Sequence, residues 1–267
     1  MSRVGDGGIA VEVTRLVKSF RRERRGPPWR RREQSSRYKR AVDSVDLRVS
    51  TPEEIELVRK HRPPDTTVFF ELAPESADDL LPDDLLLTLG RVGGCAKLRT
   101  GGVTAEAFPS VETIAGFLAR CSELGLPFKS TAGLHHPLRC TRPFTYAADS
   151  PRGTMHGFLN LFTAAAIAWE ARRQRPERHR LPRTRRQAVG WPPPRAMLAT
   201  CLADPERANW HFGDDALTWS GDRQPVRIEL DTLREVRSNF ALSFGSCSFE
   251  EPIQEMRELD LLGRWDL

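Results

Sequence analysis

Six charged side chains occupy positions where an apolar run is expected. Asp46 and Arg48 lie in VDSVDLRVS (42–50) and Glu71 in TTVFFELA (66–73). Lys97 and Arg99 lie in CAKLRTGG (95–102) and Lys129 in PFKSTAGLHH (127–136). Charges are almost never fully buried unless they are paired or bound to something. Lysine and arginine hold anions, a lysine amine can also add to a carbonyl, and a carboxylate beside it can move protons. Two readings of the cluster stand side by side. One is a site for an anionic small molecule. The other is a ladder of ion pairs, Asp46 with Arg48 and Glu71 with Lys97, buried between strands.

The elements that must position these groups alternate along the chain. Each of the four segments has strand character, and helical stretches separate them: Pro52–His61, Asp83–Val92 and Val111–Leu124. Thr51-Pro52-Glu53-Glu54 is a strong helix start, with a Thr cap, Pro at the first position and acids in the first turn. Gly93-Gly94 and Gly125 are helix stops. Strand–helix–strand order predicts a parallel sheet in an α/β protein. Alternate strand side chains share a face, so Lys97 pairs with Arg99, Lys129 with Thr131, and Asp46 with Arg48. Ala96, Leu98, Phe128, Ser130, Val45, Leu47 and Val49 then face the helices. Repeated short βα units with no GxGxxG at a helix start favour a TIM-type barrel over a dinucleotide-binding sheet. Only four of the eight strands of a barrel are clear, so the expected barrel is incomplete.

Two glycine turns, Thr100-Gly101-Gly102 and Ala132-Gly133, follow strands bearing lysine. Glycine lets backbone N–H groups approach an anion closely, or simply makes the βα turn. With Arg99, Thr131, His135 and Arg139 they form the candidate ligand-binding set for a phosphate or carboxylate. The segment Leu134–Thr154 reads as a loop, and Met155–Arg172 as a buried helix. Arg195–Leu202 reads as a short helix, Asp214–Asp222 as a hairpin, and Asp231–Leu242 and Pro252–Leu259 as helices. His135, His136 and His156 are the candidate metal ligands, but neighbouring histidines in an extended segment point apart and no HExxH spacing occurs, so no metal site is expected. Cys247, between serines, reads as a small residue in a tight loop. No motif asks for a cofactor, and without GxxxxGK[ST] the strand-like Ile9–Val13 does not open a phosphate-loop nucleotidase.

The chain has 267 residues and a net charge of +5. Residues 21–40 carry +8 and residues 172–186 carry +7, which leaves −10 on everything else. Neither run has apolar periodicity, aromatic interleaving or zinc-ligand spacing, so nucleic-acid binding is disfavoured. They read as solvated, disordered segments, and their Arg, Pro, Trp and Gly content also matches out-of-frame translation of GC-rich DNA. The expected organisation is a basic, poorly ordered leader over residues 1–40 and an α/β barrel-like domain over 41–267, with a disordered Arg-rich insert near 172–194. Five widely spaced cysteines without CxxC favour a reducing compartment. No signal-peptide or membrane-spanning run is present, so a cytoplasmic protein without a membrane partner is expected.

The segment Phe128-Lys129-Ser130-Thr131-Ala132-Gly133 resembles the strand of deoxyribose-phosphate-type class I aldolases that carries the Schiff-base lysine. The likeness covers six residues and departs in the order of Ser and Thr and in the second lysine motif. More widely, AKLRTGG (96–102), PFKSTAGLHHPLR (127–139), PRGTMHGFLN (151–160) and FGSCSFEEP (244–252) resemble an uncharacterised bacterial family of aldolase-type barrels. The aldolase resemblance implies Lys129 as catalytic nucleophile, and the wider one a fold and no mechanism. On the neighbouring strands Lys97 or Arg99 would then lower the amine's pKa, with Glu71 or Asp46 as acid/base. The expected function is lyase or aldolase-like chemistry on a small anionic carbonyl metabolite. The alternatives are a non-catalytic metabolite-binding barrel and a degenerate barrel broken by its inserts.

Overall fold

Thr51 Oγ1 accepts the Glu54 N–H at 3.3 Å, and Glu54 Oε2 accepts the backbone N–H groups of Ser50 at 2.7 Å and Thr51 at 3.4 Å. This capping box starts the first helix where the sequence places it. The computed structural model describes residues 44–63, 66–72, 82–173, 195–222, 224–246 and 250–261. Ile9–Val13, the basic run 21–40, most of the second Arg-rich run and Cys247 lie outside the described residues.

The strands are β1 (Ser44–Val49), β2 (Thr67–Leu72), β3 (Cys95–Arg99), β4 (Phe128–Thr131), β5 (Cys140–Pro143), β6 (Arg152–Met155), β7 (Trp210–Phe212), β8 (Ala216–Trp219), β9 (Val226–Glu229) and β10 (Ala241–Gly245). The helices are α1 (Pro52–His61), α2 (Asp83–Val92), α3 (Val111–Leu124), α4 (Phe158–Arg173), α5 (Arg195–Ala203), α6 (Leu230–Asn239) and α7 (Glu250–Glu258). One parallel sheet runs β1-β2-β3-β4-β10. β5 and β6 form an antiparallel hairpin, and β7-β8-β9 a small antiparallel sheet.

Each of β2, β3 and β4 is added on the same side of its predecessor. Right-handed crossovers then place α1, α2 and α3 on one face. That face is the core: Val45, Val49, Val68, Phe70, Leu72, Ala96, Leu98 and Phe128 pack with Ile55, Leu86, Leu89, Ile114 and Leu118 from the helices. α4 is apolar nearly all round because α3, α5, α6 and β10 pack against it from different sides. No helix among the described residues is long and apolar enough to cross a membrane.

Three boundaries differ from the sequence reading. The expected loop 134–154 contains the β5–β6 hairpin, whose Cys-Thr-Arg-Pro and Arg-Gly-Thr-Met strands are too short and polar to show a period. α4 begins at Phe158 instead of Met155, because the Phe158 and Leu159 N–H groups bond to the carbonyls of His136 and Pro137. The expected helix 231–242 ends at Asn239. Phe240, fully buried at φ −133° and ψ −71°, turns the chain into β10, and its carbonyl accepts the Phe128 N–H at 2.7 Å. The fifth strand of the sheet was therefore hidden in a helix and a loop.

Candidate active site

Side chains alternate across β1 to β4. With the apolar set on the helices, Asp46, Arg48, Phe69, Glu71, Lys97, Arg99, Lys129 and Thr131 share the other face. The structure joins five of them in one chain of charge. Lys129 Nζ lies 2.5 Å from Asp46 Oδ1, and Asp46 Oδ2 lies 3.1 Å from Lys97 Nζ. Lys97 Nζ lies 2.6 Å from Glu71 Oε2, and Glu71 Oε1 lies 4.0 Å from Arg99 Nη1. One carboxylate thus bridges two ammonium groups. Asp46 reaches β4 past β2 and β3, which requires the sheet to curl toward this face.

The site is largely buried at its lysines and Glu71 and open at Asp46, which is 33% exposed. The side chains of Lys97, Glu71 and Lys129 are 11%, 13% and 15% exposed, whereas Arg99 is 57% exposed at the carboxyl end of β3. Lys129 Nζ also sits 4.4 Å from the centroid of the Phe69 ring, a cation–π contact that helps to hold the ammonium. Phe69 was not among the expected site residues, although its parity with Glu71 places it there. Thr131 Oγ1 is buried with no hydrogen-bond partner among the described residues. Asp46 bridges the two lysines, a different arrangement from the expected pair with Arg48.

The glycine turns are pressed against each other. A Cβ on Gly101 would lie 2.5 Å from the Phe108 ring and 2.9 Å from Gly133 Cα, and Gly133 has φ +73°. A Cβ on Gly102 would lie 2.6 Å from that of Ala107. Packing of Phe108 and Ala107 accounts for all three glycines. Ala132 also takes a left-handed conformation, φ +68°, directly after Thr131, while Thr100 Oγ1 donates to the Ala132 carbonyl at 2.8 Å.

His135 and Arg139 belong to other neighbourhoods. His135 Nδ1 lies 3.0 Å from Ser246 Oγ beyond β10, and burial pushes its pKa down against the pull of Glu251. The Arg139 guanidinium donates to His156 Nδ1 at 3.2 Å, and His156 Nε2 lies 2.8 Å from the Pro109 carbonyl. Arginine only donates, so Nδ1 is the acceptor and Nε2 carries the hydrogen. Burial, with Arg139 beside it, pushes His156 down to about 4 despite the Pro109 bond. Both of its nitrogens are engaged. Among the described residues no group of three or more His, Cys, Asp or Glu side chains converges on a point where a metal would sit.

Below His156, Asn160 is fully buried and fully used. Its Oδ1 accepts the Arg139 N–H at 2.9 Å, and its Nδ2 donates to the carbonyls of Cys201 at 2.8 Å and Asp204 at 2.7 Å. Asp204 in turn accepts from Trp219 Nε1 and Asn209 Nδ2, both at 2.8 Å. This network ties the loop after β4 to α5 and the small sheet. In comparisons with known proteins, no family model, curated protein or solved structure matches the chain.

Proposed function

We propose that the curled face of the sheet is an active site for amine-assisted chemistry on a small carbonyl compound bearing a phosphate or carboxylate. The scaffold would be an aldolase-type barrel, incomplete, of which β1 to β4 and β10 form one wall. The observation that carries this reading is the Lys129–Asp46–Lys97 bridge, two largely buried amines held on one partly exposed carboxylate. Four cationic side chains, Arg48, Lys97, Arg99 and Lys129, face two carboxylates, Asp46 and Glu71, so the face carries a formal +2 that an anionic substrate would offset. The unsatisfied Thr131 hydroxyl on the same face supplies a further polar contact.

In this reading Lys129 Nζ gives a proton to Asp46 and adds to the substrate carbonyl. Loss of water, its oxygen protonated by the acid that Glu71 and Lys97 share, leaves an iminium. The bond between the α and β carbons then breaks: its electron pair forms the enamine double bond as the iminium π pair moves to nitrogen, and the Glu71 carboxylate takes the β-hydroxyl proton as the β carbon leaves as a carbonyl. Asp46 gives its proton to the enamine α carbon, and water hydrolyses the resulting iminium, releasing the second product and restoring Lys129. Arg99, exposed at the rim, holds the substrate anion. The test is borohydride trapping with small phosphorylated aldehydes and ketones, read by intact mass and peptide mapping. An adduct on Lys129 is expected; a cooperatively folded protein that gives none refutes the imine.

A second reading is a non-catalytic metabolite-binding barrel. It draws on the fact that both lysines are already paired with carboxylates, as in a ladder. It requires binding of a phosphorylated metabolite with no adduct and no turnover.

A further inference from the structure

Beside the ends of β4 and β10 lies an open pocket of about 200 Å³, and none of Asp46, Glu71, Lys97 or Lys129 lines it. One wall is α7, where Glu251 and Glu255 stand one turn apart on the same side of the helix. The facing wall is the β5–β6 hairpin and its loop, which present Phe144, Tyr146 and Met155. His136 is 93% buried at the base: its Nδ1 bonds Glu255 Oε1 at 2.8 Å, and since an ionised carboxylate only accepts, Nδ1 carries the hydrogen. The Tyr146 hydroxyl donates to Glu251 Oε2 at 2.8 Å. Phe144 is held from behind by Phe108, ring centroids 5.1 Å apart.

The His136 and Tyr146 contacts orient the two carboxylates. Among the lining residues Arg142 is half-exposed and stands 3.7 Å from Glu255 Oε1, beyond hydrogen-bonding range. Glu251 and Glu255 against Arg142 give the lining a formal −1, histidines left out of the sum, opposite in sign to the curled face of the sheet. Each carboxylate has about four acceptor positions, and aromatic faces attract alkylammonium groups. Carboxylates on one wall and aromatic rings on the other match one ligand chemistry.

We propose that this pocket binds a small organic cation, an aryl- or alkylammonium, with its charge between Glu251 and Glu255 and its apolar part against Phe144, Tyr146 and Met155. Arg142 is the internal competitor that the ligand displaces from Glu255. The site does not depend on imine chemistry at Lys129.

Isothermal titration of the full chain with benzyltrimethylammonium at low salt tests this, with benzenesulfonate as the anion of similar shape. Saturable one-to-one binding of the cation is expected, with none of the sulfonate. Glu251→Gln and Glu255→Gln should each weaken binding about tenfold, and Lys129→Met should leave it unchanged. Arg142→Ala should tighten it several-fold, and because Arg142 is half-exposed this variant decides the matter even if a glutamine variant fails to fold. Absence of saturable binding, equal binding of the sulfonate, or weaker binding in Arg142→Ala overturns the proposal.

Discussion

Asp46 Oδ1 and Lys129 Nζ meet at 2.5 Å although β2 and β3 stand between their strands. Across a flat sheet three strand spacings measure about 14 Å. Extended aspartate and lysine side chains with a contact between them span roughly 12 Å by standard bond lengths. The shortfall is met by curvature, so this ion pair is a gauge of how far the sheet curls. Flattening the sheet would break it.

Lys129→Met removes the cross-sheet tie and the proposed nucleophile together. On the imine reading, borohydride adduct and turnover both vanish while the cooperative melt survives. Lys129→Arg keeps the charge opposite Asp46 and should restore stability without restoring the adduct. That split separates chemistry from packing in a single pair of variants.

Lys97→Met should destabilise the protein more than its exposed neighbours would. It leaves Glu71, 13% exposed, with only the distant Arg99, and strips Asp46 of one partner. Orphaning a buried charge in this way costs about 3 kcal/mol. Lys97→Met combined with Glu71→Met should recover most of the loss, since apolar replacement of a buried pair is close to neutral. Urea melts of the two single variants and the double variant measure the coupling.

His156 makes the fold acid-labile. Its pKa is about 4 in the folded chain against an ordinary 6.5. Between those values the unfolded chain binds a proton that the folded chain refuses, so stability rises with pH there. The contribution is complete above pH 6.5 and lost as pH falls to 4, about 3 kcal/mol in all. Of this, about 2 kcal/mol should disappear between pH 7 and pH 5. His156→Gln should flatten that part of the unfolding free energy against pH.

Gly157→Ala should be among the most damaging small substitutions. A Cβ there would run into Asn160 Oδ1 and lie 2.5 Å from the Pro137 carbonyl oxygen and the Leu138 carbonyl carbon. Backbone on one side and a three-bond asparagine on the other leave nothing free to move. A loss of at least about 3 kcal/mol is expected from overpacking plus the broken Asn160 contacts, read as the fall in melting temperature against a Gly213→Ala control.

The capped helices were legible because their signals are local. Thr51-Pro52-Glu53-Glu54 marks a start that the structure reproduces, and Gly93 and Gly125 mark the stops. Strand parity put Lys97, Lys129, Glu71 and Asp46 on one face without any knowledge of the sheet order. What remained hidden was long-range. No local pattern says that Asp46 passes Arg48 to reach Lys129, or that Ala241–Gly245 pairs with β4. His135 and Arg139 follow Lys129 closely in sequence, yet hairpin β5–β6 and the Asn160 network carry them into other surroundings. The Glu251–Glu255 wall has no local signature, because two acids four residues apart on a helix suit an ordinary solvated face equally well.

The partner of β4 has a timing consequence. β1 to β4 are built from neighbouring segments, but about 110 residues separate Thr131 from Ala241. At ribosomal speed that gap lasts on the order of ten seconds. Throughout it the β4 edge, with Phe128 and Ser130 behind it, emerges without the strand that will cover it. An uncovered parallel edge is a template for pairing with another chain. The nascent protein therefore presents this edge to other chains until Phe240 docks against Phe128.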